Sequence, residues 1–311
     1  MSTSPARPIL VTGAHRSGTT WAGKILAASS ETAYISEPLN VLHRPGVFSA
    51  SIRHWYTYIC SENEAQYLPA LQETLAFRYH LAAEIRSLRS RKDFLRMGRD
   101  WTTFLRGRFR GLTPLIKDPF AVFSAPWFAE RLNCRVVITV RHPAAFASSL
   151  KRLKWNFDFS DLLQQPLLMR DWLEPFRQSM EEMQHHPEDI IGQSSLLWKM
   201  IYQVVLTYQE QFPSFQIVRH EDLSLQPVEG YRRLYEALGL NFSAQVEKTI
   251  FETSSSENPS ELSRNAVHSV HLDSRANLKN WKRRLEPEEI ERIRSITECV
   301  ACRYYDSKDW E

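Results

Sequence analysis

The residues best suited to chemistry lie in the segment 9–29, ILVTGAHRSGTTWAGKILAAS, where an apolar run precedes a turn of small residues and an amphipathic helix pattern. Gly13 and Gly18 have the spacing of the phosphate loop G-x-x-x-x-G-K-[ST], whose backbone N–H groups and helix N-terminus surround phosphate oxygens. Thr19 replaces the lysine that would reach the β- and γ-phosphates, which disfavours a nucleotide triphosphatase. Arg16 lies inside the loop instead, and its guanidinium can stabilise charge on a bridging or leaving oxygen at physiological pH.

A second cationic group is predicted in the segment 135–153, RVVITVRHPAAFASSLKRL. Arg141 stands at the carboxyl end of a predicted strand, and Ser149 follows eight residues later, about two turns into a predicted helix. Ligands of parallel α/β sheets usually bind outside these strand ends. We therefore expect both side chains to approach an anion at this edge of the sheet.

The pattern of a strand, HRSGTTW at 15–21 and a helix resembles the 5′-phosphosulfate loop of the sulfotransferases, which has a Lys or Arg in place of the displaced lysine. The resemblance implies that the donor is 3′-phosphoadenosine-5′-phosphosulfate and that Arg141 and Ser149 hold its 3′-phosphate. The segment 274–285, SRANLKNWKRRL, is similar to the family's C-terminal basic loop, although Arg-Ala-Asn replaces an Arg-Lys-Gly signature. The donor-binding residues implied in this way are His15, Arg16, Ser17, Gly18, Thr19, Thr20, Trp21, Arg141, Ser149, Arg275 and Lys279.

Sulfuryl transfer needs an in-line acceptor, stabilised charge on the leaving phosphate and a base for the acceptor's proton, but it does not require a metal. Arg16 is expected to stabilise the departing phosphate. Glu37, in the segment SEPL, is the preferred base because this pattern resembles the carbohydrate and tyrosylprotein branch of the family. Asp118 is the alternative base, and Lys117 beside it is expected to neutralise the transferring group. Two histidines in a polar loop are further candidates for the base, His268 and His271.

Apolar runs alternate with helical patterns along the chain, which predicts an α/β, P-loop-like three-layer fold with a central parallel sheet. Strands are predicted at 8–11, 33–36, 114–116, 135–140 and 215–218. Helices are predicted at 19–28, 126–132, 143–153, 192–211, 228–238 and 287–305. We expect a single domain over 1–311, with a helical insertion on the acceptor side at about 41–111.

The composition excludes several other classes of protein. The formal net charge of +3 is too mild to indicate a nucleic-acid partner, although ten basic residues against three acidic ones between 78 and 110 could face an anion. Four cysteines are too few for a disulfide framework, and the pair Cys299 and Cys302 has no second pair with zinc-like spacing. No apolar stretch is long enough to span a bilayer, and the N-terminus lacks a secretory signal pattern, so we expect a cytoplasmic protein.

The sequence is compatible with more than one class of acceptor. The branch similarity and the basic segment 78–110 favour a carbohydrate or another polar acceptor, including an anionic one, whereas the many aromatic residues equally suit a lipid or a phenol. Two other functions compete with sulfuryl transfer: a P-loop small-molecule kinase, and a non-catalytic protein that binds a polyanion or a nucleotide. The sequence gives no indication of oligomeric state.

Overall fold

A five-stranded parallel sheet forms the centre of the computed structural model, which describes residues 7–261 and 270–311. The strands are β1 Ile9–Gly13, β2 Thr32–Ser36, β3 Thr113–Lys117, β4 Arg135–Val140 and β5 Gln216–Arg219. Their order in the sheet is β2-β3-β1-β4-β5. All five predicted strands are confirmed, each to within two residues at either end.

Helices cover both faces of this sheet and create two apolar cores. Leu10, Ile116 and Ile138 belong to one core, whereas Val11 and Leu115 belong to the other, because successive side chains of a strand point to opposite faces. The predicted three-layer arrangement is therefore confirmed. The helices are α1 Thr19–Leu26, α2 Leu68–Leu75, α3 Leu81–Ser87, α4 Arg91–Arg110, α5 Ala125–Leu132, α6 Pro143–Leu153, α7 Ser160–Leu163, α8 Pro166–Leu168, α9 Arg177–Gln184, α10 Ile190–Gln211, α11 His220–Leu225, α12 Pro227–Ala237, α13 Ala244–Ser254, α14 Pro287–Ala301 and α15 Ser307–Trp310.

The segment between β2 and β3, where the sequence predicts a helical insertion, contains α2, α3 and α4. The longest of these, α4, begins at a capping box in which Ser90 and Asp93 satisfy each other's backbone N–H groups. It ends at Arg110 and is followed by Gly111, whose φ of 60° is a left-handed conformation that glycine adopts without steric cost.

The register of the sheet brings the ends of its strands to one edge. Gly13 of β1 is paired with Thr139 of β4, and Ser36 of β2 is paired with Lys117 of β3. After β1 the chain passes to β2 and β3 on one side, and it continues into β4 on the other side of β1. The loops that follow β1 and β4 thus diverge, which opens a crevice at the topological switch point of the sheet.

The C-terminal helix is shorter than the prediction of 287–305, since α14 ends at Ala301. The chain turns inward here because Tyr305 is buried and donates a hydrogen bond to the carboxylate of Glu221 at 2.9 Å. Cys299 and Cys302 are both exposed and unpaired thiols. Among the helices that the structure describes, none is long and apolar enough to cross a membrane.

Candidate active site

A cavity of about 640 Å³ opens at the carboxyl edge of the sheet, in front of the crevice between β1 and β4. Its walls come from the loop after β1, the start of α1, the segment after β2 and the segments 155–161 and 270–277. The predicted site residues in its lining are His15, Arg16, Gly18, Thr19, Thr20, Trp21, Glu37 and Arg141.

The loop between β1 and α1 has the conformation of an anion-binding turn. Arg16 and Gly18 both have positive φ, at 65° and 97°, and the loop closes through a hydrogen bond from the Ser17 N–H to the carbonyl of Ala14. A side chain at Gly18 would meet the His220 ring, since its Cβ would lie 2.5 Å from His220 Nδ1. Glycine is therefore required at this position because its φ is positive and because a side chain would clash with His220.

Ser17 supports this loop from below and does not face the cavity. Its buried hydroxyl lies 2.5 Å from the carbonyl oxygen of Ala14, to which it donates, and 2.8 Å from Thr139 Oγ1. The contact holds the loop on β4. The nearest hydroxyl-bearing residues that do line the cavity are Thr19 and Thr20, in the first turn of α1.

Arg16, Arg141 and Ser149 lie far apart in the sequence and meet beside the cavity, which Arg16 and Arg141 line and the buried Ser149 does not. Arg16 Nε donates to Ser149 Oγ at 3.1 Å, and Arg141 Nη1 donates to the carbonyl of Arg16 at 2.9 Å. Burial and, after it, the charges of Arg141 and Arg152 lower the pKa of Arg16 to about 10. Arg16 therefore stays protonated at neutral pH within a cluster of like charges, which a bound anion would relieve.

Glu37 faces the cavity directly after β2. Its backbone N–H donates to the carbonyl of Lys117 at 2.8 Å, and its carboxylate contacts the Lys117 ammonium and accepts from Asn40 Nδ2 at 2.6 Å. Lys117 is 3% exposed and does not line the cavity, so it contacts the carboxylate of Glu37 from behind the cavity wall. Burial alone would lower the pKa of Lys117, but Tyr34 and Glu37 outweigh burial and raise it.

Asp118, the alternative base, is fully buried, and its carboxylate is bound to the backbone of two segments. Its carboxylate accepts hydrogen bonds from the N–H groups of Leu39 at 2.5 Å and Phe120 at 3.0 Å. Burial and, after it, the charge of Glu37 raise the pKa of Asp118 to about 7. The carboxylate joins the segment after β2 to the turn after β3, and it does not line the cavity.

The predicted residues of the C-terminal basic segment lie outside the cavity. Arg275 is exposed and donates to the carbonyl of Leu225 at 3.0 Å, and Lys279 is exposed. Two neighbours in the same segment, Ser274 and Asn277, line the cavity in their place. His271 is exposed beside the Glu252 carbonyl and does not line this cavity, and His268 lies outside the described residues.

Comparison with known proteins identifies the family of the chain. A family model described as "Sulfotransferase family" matches residues 8–244, which include β1 to β5 and most of the cavity wall. The chain belongs to the sulfotransferase family. No curated protein sequence matches it.

Solved structures similar to this sulfotransferase are distant. The sulfotransferase domain from the curacin biosynthetic pathway is 17% identical with a TM-score of 0.47, covering 94% of this chain and 98% of that one. A sulfotransferase from Alicyclobacillus acidocaldarius is 14% identical with a TM-score of 0.44, covering 99% of each chain. Mouse SULT7A1, complexed with PAP, is 12% identical with a TM-score of 0.43, covering 96% of this chain and 87% of that one.

Trp21 of this sulfotransferase is fixed on one side and borders the cavity on the other. Its indole N–H donates to Thr253 Oγ1 at 3.1 Å, and Tyr231 packs edge-on at 5.2 Å between ring centroids. Trp21 and Thr253 both line the cavity. The indole therefore packs against the core on one side and is available to a ligand on the other.

Three aromatic residues of the site carry no sequence signal strong enough to predict their positions. Tyr56 accepts a hydrogen bond from the His15 N–H at 3.2 Å, and the Tyr202 hydroxyl donates to the carbonyl of Thr139 at 3.0 Å. Both hydroxyls brace the loop after β1. His220 lies beneath Gly18, where burial and then Arg141 lower its pKa to about 3. His15, with a pKa lowered to about 4 by burial and then Arg16, is likewise neutral at physiological pH.

The described residues contain no group of three or more His, Cys, Asp and Glu side chains arranged to hold a metal ion.

Proposed function

We propose that this sulfotransferase moves the sulfuryl group of 3′-phosphoadenosine-5′-phosphosulfate to an acceptor hydroxyl and releases 3′,5′-adenosine bisphosphate. The observation that carries the proposal is the convergence of Arg16, Arg141 and Ser149 beside the loop after β1. Arg141 Nε is buried and has no hydrogen-bond partner among the described residues. A phosphate oxygen would provide one, so the residues present fit a donor with a second phosphate.

In this proposal the donor's phosphosulfate lies on the N–H groups of the loop and on the start of α1, where the helix dipole favours an anion. Arg141 and Ser149 hold the 3′-phosphate, and the adenosine lies toward Trp21 and Thr253. Arg275 and Lys279 remain proposed donor contacts only if the segment 270–285 moves toward the cavity, because both are exposed in the present conformation.

The transfer forms a bond between the acceptor oxygen and sulfur and breaks the bond between sulfur and the 5′-phosphate oxygen. The electron pair of the broken bond stays on that phosphate, and Arg16 stabilises the charge that develops there. Glu37 takes the acceptor's proton. Lys117 keeps Glu37 oriented and supplies positive charge beside the transferring group through their ion pair. No metal takes part in this scheme.

The acceptor side of the cavity is aromatic. Trp55, Phe120, Trp155 and Phe157 line it together with Glu37. An acceptor that carries its hydroxyl beside an apolar or planar face fits such a wall, since specific sites combine an apolar lining with few polar groups. In this proposal the whole chain is one catalytic domain of a cytoplasmic enzyme, and the segment 41–111 lies on the acceptor side.

The proposal predicts turnover of labelled donor in the presence of suitable acceptor pools. The protein should convert ³⁵S-labelled 3′-phosphoadenosine-5′-phosphosulfate into a labelled product and form 3′,5′-adenosine bisphosphate in equal amount. Pools of phenols, hydroxylated lipids and carbohydrates separate the acceptor classes. Magnesium-dependent ATP turnover without sulfated product would favour the kinase alternative, and donor binding with no product from any pool would favour a non-catalytic binding protein.

A further inference from the structure

The outer face of α4 carries an unusual concentration of exposed apolar side chains. Phe94 is 61% exposed, Trp101 is 41% exposed and Phe109 is 82% exposed. Together with Leu105, which is half-buried, they have the spacing i, i+7, i+11 and i+15, which places them along one side of a helix. We call these four residues the apolar strip of α4.

A row of basic residues runs along the other flank of the exposed face of α4. These residues have the spacing i, i+4, i+7, i+14 and i+18, which places them roughly 135° around the helix from the apolar strip. Four of them form no ion pair within the part of the chain that the structure describes, and Arg99 pairs with Asp100. The carboxylates of α4, Asp93 and Asp100, lie toward its inner side and are mostly buried. We call this row the basic strip, and it consists of Lys92, Arg96, Arg99, Arg106 and Arg110.

The inner face of the same helix is firmly packed. Met97 and Phe104 are buried, and Phe104 contacts the rings of Phe77 and Tyr79. A side chain at Gly107 would lie 2.6 Å from the Phe77 ring, so the helix and its neighbour are in close contact. The outward position of the apolar strip therefore follows from the docking of α4 and not from a loosely attached helix.

We propose that α4 is a membrane-surface helix that binds bilayers containing anionic lipids. Amphipathic helices of this kind lie in the plane of the interface, with Phe, Trp and Leu among the acyl chains and with Lys and Arg at the headgroups. The apolar strip supplies the inserted side chains, and the basic strip supplies complementary charge for the headgroups.

Two other occupants fit this face less well. A polyanionic carbohydrate would pair with the basic strip but would leave Phe94, Trp101 and Phe109 in water. A second copy of the chain related by twofold symmetry would bring the same patch against itself, and the two basic strips would then repel each other. A bilayer surface uses both strips at once.

The location of α4 links this surface to the cavity. Arg44 forms ion pairs with Asp93, in the first turn of α4, and with Glu84. Asn40 and Leu42, a few residues before Arg44 in the sequence, line the cavity. Binding of α4 to a bilayer would therefore bring the acceptor side of the cavity close to the lipid surface. This consequence for the acceptor rests on the proposed function, whereas lipid binding itself does not.

Vesicle co-sedimentation tests the proposal without any measurement of turnover. The protein should bind vesicles of equal phosphatidylcholine and phosphatidylglycerol much more strongly than vesicles of phosphatidylcholine alone. Phe94→Gln with Phe109→Gln, and separately Arg106→Gln with Arg110→Gln, should each weaken binding about tenfold or more. These side chains are exposed, so both double variants should keep the thermal stability of the wild type.

Matched control variants remove exposed apolar side chains or exposed positive charges from surfaces other than α4. Leu225→Gln with Phe251→Gln removes exposed apolar side chains, and Arg303→Gln with Lys308→Gln removes exposed charge, so both should bind vesicles like the wild type. Equal vesicle binding by the α4 variants and the controls would overturn the proposal. So would binding to heparin but not to vesicles, which would identify a polyanion, or a dimer that the Phe94 and Phe109 changes dissociate without any vesicle binding.

Discussion

Arg16→Ala is expected to lower the rate of sulfuryl transfer by about 10² to 10³, the usual loss when one donor to developing charge is removed. Arg16 lies in a loop and donates to Ser149, and burial and its cationic neighbours lower its pKa to about 10. The Arg16 guanidinium thus binds its proton less tightly in the folded protein than in the unfolded chain. Its charge therefore opposes folding at neutral pH. The variant should therefore lose turnover without losing thermal stability.

Arg16→Lys is the matched control for charge. Lysine retains the charge but not the planar set of donors that also reaches Ser149, so its turnover should fall between those of wild type and Arg16→Ala. Single-turnover rates with labelled donor, compared at saturating donor, separate this effect from binding. Near-normal turnover of Arg16→Ala would remove this residue from the mechanism.

Glu37→Gln is expected to lower turnover by about 10² or more, while donor binding stays nearly unchanged. Glutamine preserves the volume of Glu37 and its contact with Asn40, but it cannot take the acceptor's proton. It also leaves the buried Lys117 without its carboxylate partner, so the melting temperature should fall. Turnover must therefore be measured per mole of folded protein.

Asp118→Asn is the comparison that separates the two candidate bases. The amide of asparagine would face the N–H group of Leu39 or Phe120, so this variant should lose stability but keep most of its turnover. The acidic limb of the pH–rate profile should disappear in Glu37→Gln alone. A larger loss of turnover in Asp118→Asn than in Glu37→Gln would make Asp118 the base. If both variants keep an acidic limb of the pH–rate profile near neutrality, the base is a histidine.

The sheet and the loop after β1 were predictable because their signals are local. Continuous apolar runs specify buried parallel strands, and the glycine spacing specifies the turn, so β1 to β5 match their predictions within two residues. The meeting of Arg16, Arg141 and Ser149 was also predictable, since residues after neighbouring parallel strands share one edge of the sheet.

The environment of individual side chains was not predictable in the same way. The type of a residue does not reveal that Lys117 is buried against Glu37, that Ser17 points beneath its own loop or that Asp118 is held by two backbone N–H groups. Such details depend on contacts between segments that lie far apart in the sequence. The same limit applies to α4, whose composition indicated only a basic segment, whereas its docking separates an apolar strip from a basic strip.

Comparison of 3′,5′-adenosine bisphosphate with 5′-AMP tests most directly whether this cavity binds a 3′-phosphorylated donor. A ligand present at a hundredfold excess over its Kd stabilises the folded state by about 2.7 kcal/mol, so the shift in melting temperature reports relative affinity. The bisphosphate should raise the melting temperature clearly more than 5′-AMP at equal concentration, because only it reaches both Arg141 and Ser149. Ser149→Ala should reduce that advantage and leave the response to 5′-AMP unchanged. Equal shifts with the two nucleotides would contradict the account.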